Sequence, residues 1–115
     1  VLAARTTGGL EEVDDAIRAA GGQATLMPLD LLDLAPLDNM GPALAQKFGR
    51  LDIFVGNAAM LGSLTPVSDS DAKEWQRVMD LNLTANYRLL RTLDPLLRAA
   101  PAGRVLFVTS DLAQL

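Results

Sequence analysis

Polar and small residues follow each of four short apolar runs in the sequence. They supply a cation, a carboxylate, an amide within a small-residue turn and a hydroxyl pair: Arg5, Asp30, Gly56-Asn57-Ala58-Ala59 and Thr109-Ser110. Taken singly, a polar residue at such a position is more often solvated than functional. Together these groups form a set that binds a polar ligand, because the small residues of the turn leave the backbone open to it.

Two further amides, those of Asn82 and Asn86, interrupt an apolar helical face. The residues that recur with the spacing of this face are Trp75, Val78, Met79, Asn82, Leu83, Asn86, Leu89, Leu90 and Leu93. A buried amide without a partner costs about 1–3 kcal/mol, so we expect Asn82 to have a specific partner. A structural hydrogen bond to a neighbouring helix or loop is the simpler interpretation, and a role at the ligand site is the other.

The elements that would position these residues alternate along the chain. Apolar runs and helical periodicity predict strands over 1–4, 24–29, 51–55 and 105–108, and helices over 7–20, 34–48 and 71–99. Gly41 and Pro42 weaken the second helix in its middle, and Pro95 either bends or divides the third. Strands that alternate with helices predict an α/β fold, with three αβα layers built on a doubly wound parallel sheet. The carboxyl ends of its strands share one edge, where ligands bind.

The composition argues against several classes of chemistry. The net charge is −4 and the pI is about 4.6, which disfavours binding to nucleic acid or to an anionic membrane. The chain has no Cys and no His, which removes thiol chemistry, disulfides and any His-based triad. The absence of Cys also fits a cytoplasmic location. We therefore expect no nucleic acid, no membrane and no metal as partners.

These motifs, in this order, resemble the middle of a short-chain dehydrogenase/reductase, a Rossmann-fold oxidoreductase that uses NAD or NADP. The turn at 56–59 is similar to the NNAG turn after the fourth strand of that family, and Leu29-Asp30-Leu31 is similar to the end of the third strand. Met79–Leu83 is similar to the helix segment that carries the catalytic Asn. Gly103–Ser110 is similar to the fifth strand, which ends at the catalytic Ser. The resemblance implies that the chain is part of a single NAD(P)-binding Rossmann domain over 1–115, comprising the second to fifth strands, and that this Rossmann-like sheet is incomplete.

The resemblance also implies a role for each site residue. Asn82 and Ser110 would be catalytic: the helix unwinds slightly at Asn82 and exposes a carbonyl that holds a water of a proton relay, while Ser110 hydrogen-bonds the substrate carbonyl or alcohol. Asp30 would accept a hydrogen bond from the adenine amino group, and Asn57 would brace the sheet. The expected cofactor-binding residues are Arg5, Asp30, Leu31, Asn57, Ala58 and Ala59.

The cofactor preference follows from charge at the end of the second family strand. NAD-binding Rossmann proteins usually place an acid there, whereas NADP-binding proteins omit it and offer an Arg nearby. Here the position is Ala4, followed by Arg5. The sequence therefore favours NADP, with NAD possible, although Arg5 could also be an ordinary exposed loop cation.

Some family features are missing from the sequence. Neither the TGxxxGxG phosphate loop nor the YxxxK motif is present, and the single tyrosine, Tyr87, lies in the long helix. Gly56 and Ala59 replace the first Asn and the Gly of NNAG. In the family strand order 3-2-1-4-5, the absent first strand separates the second from the fourth. We therefore expect a segment of a longer polypeptide whose four strands pair as two separate halves.

The leading hypothesis is NADP-dependent hydride transfer between a small-molecule carbonyl and an alcohol in the full-length parent, with the 115-residue segment alone inactive. A non-catalytic nucleotide-binding fragment or scaffold, without the phosphate loop and YxxxK, is the alternative. An unrelated Rossmann-like protein such as a methyltransferase is disfavoured, because Asn82 and Ser110 have no role there. Self-association as a homodimer or homotetramer is expected through helix 71–99. The residues that would supply its apolar area, or else face their own sheet, are Leu89, Leu90, Leu93 and Leu97.

Overall fold

The computed structural model describes residues 1–110 and separates the chain into two compact units, Val1–Asp33 and a second unit that begins at Leu34. The strands are β1 (Leu2–Ala4), β2 (Leu26–Pro28), β3 (Ile53–Gly56) and β4 (Arg104–Phe107). The helices are α1 (Thr7–Ala19), α2 (Leu34–Leu37), α3 (Met40–Phe48), α4 (Ala72–Met79) and α5 (Ala85–Ala99). A 3-10 turn, Val67–Asp69, precedes α4, and a π-helical segment, Asp80–Thr84, joins α4 to α5. No helix among residues 1–110 is long and apolar enough to cross a membrane.

In the first unit, α1 connects two parallel strands. Ala4 lies opposite Pro28 in the register, and the ladder continues where the Leu29 N–H donates to the Ala4 carbonyl at 2.9 Å. Leu10 of α1 is buried, 5% exposed. The chain turns away after the end of α1 at Gly21, whose φ of 85° is a conformation that glycine adopts without strain. The first unit is therefore one βαβ unit, as the alternation of strands and helices in the sequence predicts.

In the second unit, β3 and β4 pair in parallel and lie against α5. Gly56 is opposite Phe107, and the rings of Phe54 and Phe107 meet edge to face with centroids 5.9 Å apart. The buried apolar side chains of this unit are Leu37, Met40, Leu44, Phe54, Ala85, Leu89, Leu93, Leu96 and Leu97. Three of the four leucines predicted to serve either self-association or the core are thus core residues of their own chain: Leu89, Leu93 and Leu97.

The predicted helix over 34–48 is two helices, α2 and α3. Thr92 of α5 explains the break, because its hydroxyl donates to the Asp38 carbonyl at 2.9 Å and accepts from the Gly41 N–H at 3.2 Å. A Cβ at position 41 would overlap the Thr92 carbonyl. Gly41 is therefore the residue that lets α3 approach α5, and a contact with a distant helix sets the position of the break.

The predicted long helix begins at a capped residue and contains a wider turn. The Asp71 carboxylate accepts hydrogen bonds from the N–H groups of Lys73, at 2.6 Å, and Glu74, at 3.0 Å. Pro95 lies inside α5 without ending it. The predicted continuous apolar face is wrong at Trp75 and Leu83, which are 63% and 59% exposed. The prediction assumed 3.6 residues per turn along the whole helix. In the π-helical segment the hydrogen bonds span five residues, so the residues that follow it face another direction than this spacing predicts.

The four strands form two separate two-stranded sheets, β1–β2 and β3–β4. No further strand joins them among residues 1–110. This is the pairing expected of a chain that carries the second to fifth family strands without the first. The prediction of two separate halves is confirmed.

Candidate active site

A cavity of about 600 Å³ opens beside the carboxyl end of β3 in the second unit. Its volume lies within the range of roughly 300–1,000 Å³ that is usual for small-molecule sites. The strand ends and the helix that line it contribute Gly56, Asn57, Ala58, Ala59, Asn82, Leu83, Asn86, Tyr87, Leu90, Phe107, Val108, Thr109 and Ser110. Five residues predicted for the site thus meet around one cavity: Asn57, Ala58, Ala59, Asn82 and Ser110.

The amide of Asn82 ties the helix to the chain that leaves the small-residue turn. Its Oδ1 accepts a hydrogen bond from the Met60 N–H, and its Nδ2 donates to the Met60 carbonyl, both at 2.9 Å. The predicted specific partner of Asn82 is therefore the backbone of one loop residue. Because the side chain is engaged in this way, the group that Asn82 can offer to a ligand is its main-chain carbonyl.

The helix is widened at the same place. The Ala85 N–H donates to the Asp80 carbonyl, five residues back, instead of following the four-residue spacing of an α-helix. The Asn82 carbonyl accepts a hydrogen bond from Nδ2 of Asn86 at 2.9 Å. A carbonyl oxygen can accept two hydrogen bonds, and the Asn86 side chain occupies one of these positions. The widening at Asn82 matches the slight unwinding that the family resemblance implies.

Gly56 is required by its neighbours. A Cβ there would lie 2.6 Å from Oδ1 of Asn86 and 2.6 Å from a ring carbon of Phe107. Real Cβ atoms essentially never approach other atoms this closely. The side chains of a helix residue and of the adjacent strand therefore occupy the space that any larger residue at position 56 would need.

The cavity is lined by both polar and apolar residues and, among the residues that the structure describes, by no charged side chain. Its lining includes three amides and three hydroxyl groups, together with the apolar side chains of Leu83, Leu90, Phe107 and Val108. Such a lining suits an uncharged polar group against a flat apolar surface, and it provides no cation for a phosphate. The pKa of the Arg98 guanidinium is raised by its hydrogen bond to Asp94, but that pair is not part of the lining.

The other predicted cofactor-binding residues lie in the first unit. Arg5 is exposed, and Leu31 is half-buried. The carboxylate of Asp30 accepts a hydrogen bond from the Leu32 N–H at 2.9 Å, which closes a local turn after β2. Within residues 1–110 no group of three or more acidic side chains is placed to hold a metal ion.

Several site residues were not predicted to act there. Met60 contributes only backbone, so no side-chain pattern could identify it. Asn86 was recognised as an interruption of the apolar face, but not as the partner of the Asn82 carbonyl. Its position four residues after Asn82 was the available signal, because residues with that spacing are neighbours on a helix. Tyr87 lines the cavity and is 61% exposed.

Comparison with known proteins identifies the class to which this fold and cavity belong. The sequence matches the short chain dehydrogenase family over residues 1–115. The short chain dehydrogenase pigC of Monascus ruber is 31% identical, over 99% of this chain and 40% of pigC. The structure of a short chain dehydrogenase from Escherichia coli CFT073, complexed with NADPH, has a TM-score of 0.90 at 32% identity and covers 98% of this chain and 48% of its own. A metagenomic short-chain oxidoreductase in complex with NADP has a TM-score of 0.89 at 31% identity, with coverages of 96% and 50%.

The chain belongs to the short chain dehydrogenase family of oxidoreductases. It spans half or less of the length of these relatives. The similarity to solved structures confirms the predicted fold class, an α/β Rossmann-like arrangement of parallel strands and helices that is incomplete in this chain.

Proposed function

We propose that the full-length protein containing this chain is an NADP-dependent oxidoreductase that interconverts a carbonyl and an alcohol of a small molecule. One observation carries the proposal: Asn57, Asn82 and Ser110 line a single uncharged cavity beside the widened turn of the helix. Family membership supports an oxidoreductase. A binding site that lacks charge suits the nicotinamide and the reacting carbonyl, whereas the cofactor phosphates require groups outside the cavity.

Each residue has a defined task in this proposal. When bound, NADPH supplies the hydride. The exposed Ala58 and Ala59 leave room for the cofactor against the backbone, and Asn57 braces the strand end. The Ser110 hydroxyl hydrogen-bonds the substrate oxygen as its charge develops. The Asn82 carbonyl, to which the Asn86 side chain donates on one side, holds a water of the proton relay.

NADP is the preferred cofactor in this proposal, with NAD as the weaker one. Arg5 follows β1 directly, and no acid lies between Val1 and Gly9. A guanidinium at this place would bind the 2′-phosphate of NADP, whereas a carboxylate would repel it. Asp30 and Leu31 would lie at the adenine. Two of the solved relatives contain NADP or NADPH, which agrees with this preference.

The proposed assembly is a homodimer or homotetramer through the helix over 71–99, in the cytoplasm. Because Leu89, Leu93 and Leu97 are buried in their own chain, the exposed Trp75 is a better contact residue. Light scattering of the full-length protein measures the assembly. We expect Trp75→Glu to lower the oligomeric mass, and an unchanged mass would contradict a contact through this residue.

The decisive experiment is a turnover assay of the full-length protein. NADPH and NADH oxidation would be followed by absorbance with a panel of aldehydes and ketones, beside isothermal titration with each cofactor. We expect turnover with at least one carbonyl and a preference for NADPH. Cofactor binding without turnover of any carbonyl would instead support a non-catalytic nucleotide-binding scaffold.

A further inference from the structure

The side chain of Asn86 connects two parts of the cavity wall. Its Nδ2 donates to the Asn82 carbonyl at 2.9 Å. Its Oδ1 lies above the end of β3, only 2.6 Å from the place that a Cβ on Gly56 would occupy. Asn86 is half-buried. One amide therefore fills the space over the strand end and also holds the carbonyl at the widened turn.

The hydrogen bond from Asn86 reaches a carbonyl inside the widened turn of the helix. In an α-helix the carbonyl of residue 82 would accept from the backbone N–H of residue 86, four residues on. The segment Asp80–Thr84 is π-helical, and its closing hydrogen bond spans five residues, from Ala85 to Asp80. The side chain of residue 86 now supplies a donor to that carbonyl. The carbonyl is thus bonded by a side chain that also lies over the end of β3.

We propose that Asn86 is a positioning residue that fixes the direction of the Asn82 carbonyl, and that Gly56 is the partner that makes room for it. The inference rests on the proposed function, in which that carbonyl holds a water of the proton relay. With one acceptor position taken by Asn86, the direction of the remaining one is defined. Asn86 then acts on proton transfer without touching the substrate.

The pairing also explains how this chain departs from the NNAG pattern. That pattern carries an amide side chain at position 56, where this chain has glycine. The amide over the strand end comes from the helix instead. A side chain at position 56 and the present rotamer of Asn86 exclude each other, because Oδ1 stands in the path of the Cβ. Gly56 and Asn86 therefore form a matched pair.

A double-mutant cycle in the full-length protein tests the pairing. We expect Gly56→Ala to lower the melting temperature by roughly 3–10 °C, because overpacking forces Asn86 and Phe107 to move. Adding Asn86→Ala should recover part of that loss, since it removes the clash with Oδ1 of Asn86. Gly8→Ala is the control, because a Cβ at Gly8 meets nothing within 4 Å and alanine favours the helix. Strictly additive losses for the two substitutions would overturn the pairing.

Two further readouts test positioning, with Asn86→Asp as the sharper variant. Aspartate keeps the shape of asparagine but, when ionised, cannot donate to the carbonyl. We expect kcat to fall about tenfold, the equivalent of one hydrogen bond, with KM for NADPH changed less than twofold. Hydrogen exchange of the amides over 80–86, measured without cofactor, should become faster. An unchanged kcat or unchanged exchange overturns the inference.

The two proposals fail in different ways. If the wild-type protein turns over no carbonyl, the proposed function is wrong, and the exchange rates still decide whether Asn86 holds the Asn82 carbonyl. If the wild type is active while Asn86→Asp matches it, the function stands and the positioning role is wrong. Asn39→Asp serves as the matched control, because Asn39 is exposed and its side chain makes no capping hydrogen bond.

Discussion

The carboxyl end of β3 and the carboxyl ends of β1 and β2 hold their polar side chains by different contacts. After β3, the Asn82 amide makes two hydrogen bonds to Met60, 22 residues away in the sequence. After β2, the Asp30 carboxylate accepts from Leu32, two residues on. After β1, Arg5 is exposed and forms no ion pair with any other residue in the range 1–110. The fold therefore positions the first group, whereas the others have only local contacts.

This difference separates two kinds of site residue. A side chain held by long-range hydrogen bonds is in place before a ligand arrives, and preorganised groups of this kind contribute most to catalysis. An exposed side chain becomes ordered by the ligand that it binds. We therefore expect substitutions near β3 to change turnover or stability, and substitutions after β1 and β2 to act chiefly on cofactor affinity.

The largest effect is expected for Ser110→Ala. Removing a hydrogen-bond donor to a developing oxyanion costs about 10²–10³ in kcat, and the melting temperature should stay within a few degrees. Ser68→Ala is the control, because the Ser68 hydroxyl is exposed and donates to the carboxylate of its neighbour Asp69. Steady-state kinetics of the full-length variants measure the effect. A loss under tenfold would show that Ser110 is not the donor.

The next largest effect is expected for Asn82→Ala, on stability as well as turnover. Loss of both hydrogen bonds to Met60 should lower the free energy of unfolding by about 1–3 kcal/mol, measured by urea denaturation. Asn39→Ala is the matched control, since the Asn39 side chain makes no capping hydrogen bond. If both substitutions cost the same, the contact with Met60 does not fix this strand end.

A smaller effect, on cofactor choice, is expected for Arg5→Ala. The ratio of kcat/KM for NADPH to that for NADH should fall about tenfold, the equivalent of one charge-assisted hydrogen bond or about 1.4 kcal/mol. Stability should change by less than about 0.5 kcal/mol, as for other exposed substitutions. Arg91→Ala removes an exposed arginine from α5 and controls for net charge. An unchanged ratio would identify Arg5 as an ordinary loop cation.

The smallest effect is expected for Asp30→Ala. Its one exposed hydrogen bond contributes about 0.5–1 kcal/mol to stability, while the Kd of the cofactor should rise severalfold through loss of the adenine contact. Asp33→Ala, an exposed acid in the same unit, is the control. Isothermal titration distinguishes the two variants. If Asp30→Ala lowered stability more than Asn82→Ala, the long-range hydrogen bonds after β3 would not be the stronger ones, which would contradict the difference between the strand ends.

Elements set by local signals could be predicted from the sequence. The apolar runs predict four strands in the right order. Residues with a strong local preference also act as expected of their type: the Asp71 carboxylate caps α4, and Gly49 ends α3 with a φ of 75°. The break between α2 and α3 was not located, because it depends on Thr92, which lies more than 50 residues away. The spacing of apolar residues within residues 34–48 cannot indicate a contact with a residue of another helix.

The candidate site shows the same limit. Family motifs named Asn57, Asn82 and Ser110, and a cavity does bring them together. Because an unpaired buried amide is costly, the sequence predicts that Asn82 has a hydrogen-bond partner. Only the structure shows that this partner is the backbone of Met60. The link between Gly56 and Asn86 depends on a distance between a strand end and a helix. That distance is set by packing, so residue types alone could not provide it.

The π-helical segment Asp80–Thr84 also fixes the length of the polypeptide between α4 and α5. Each residue of an α-helix turns the chain by about 100°, so removing one residue here would leave a continuous helix and rotate its two halves against each other by that amount. Asn82 would turn away from Met60 while Leu89 stayed in the core. We expect deletion of Leu81 to preserve the helical circular dichroism signal and abolish turnover. Insertions and deletions should thus be excluded from this helix for geometrical reasons, whatever residues it contains.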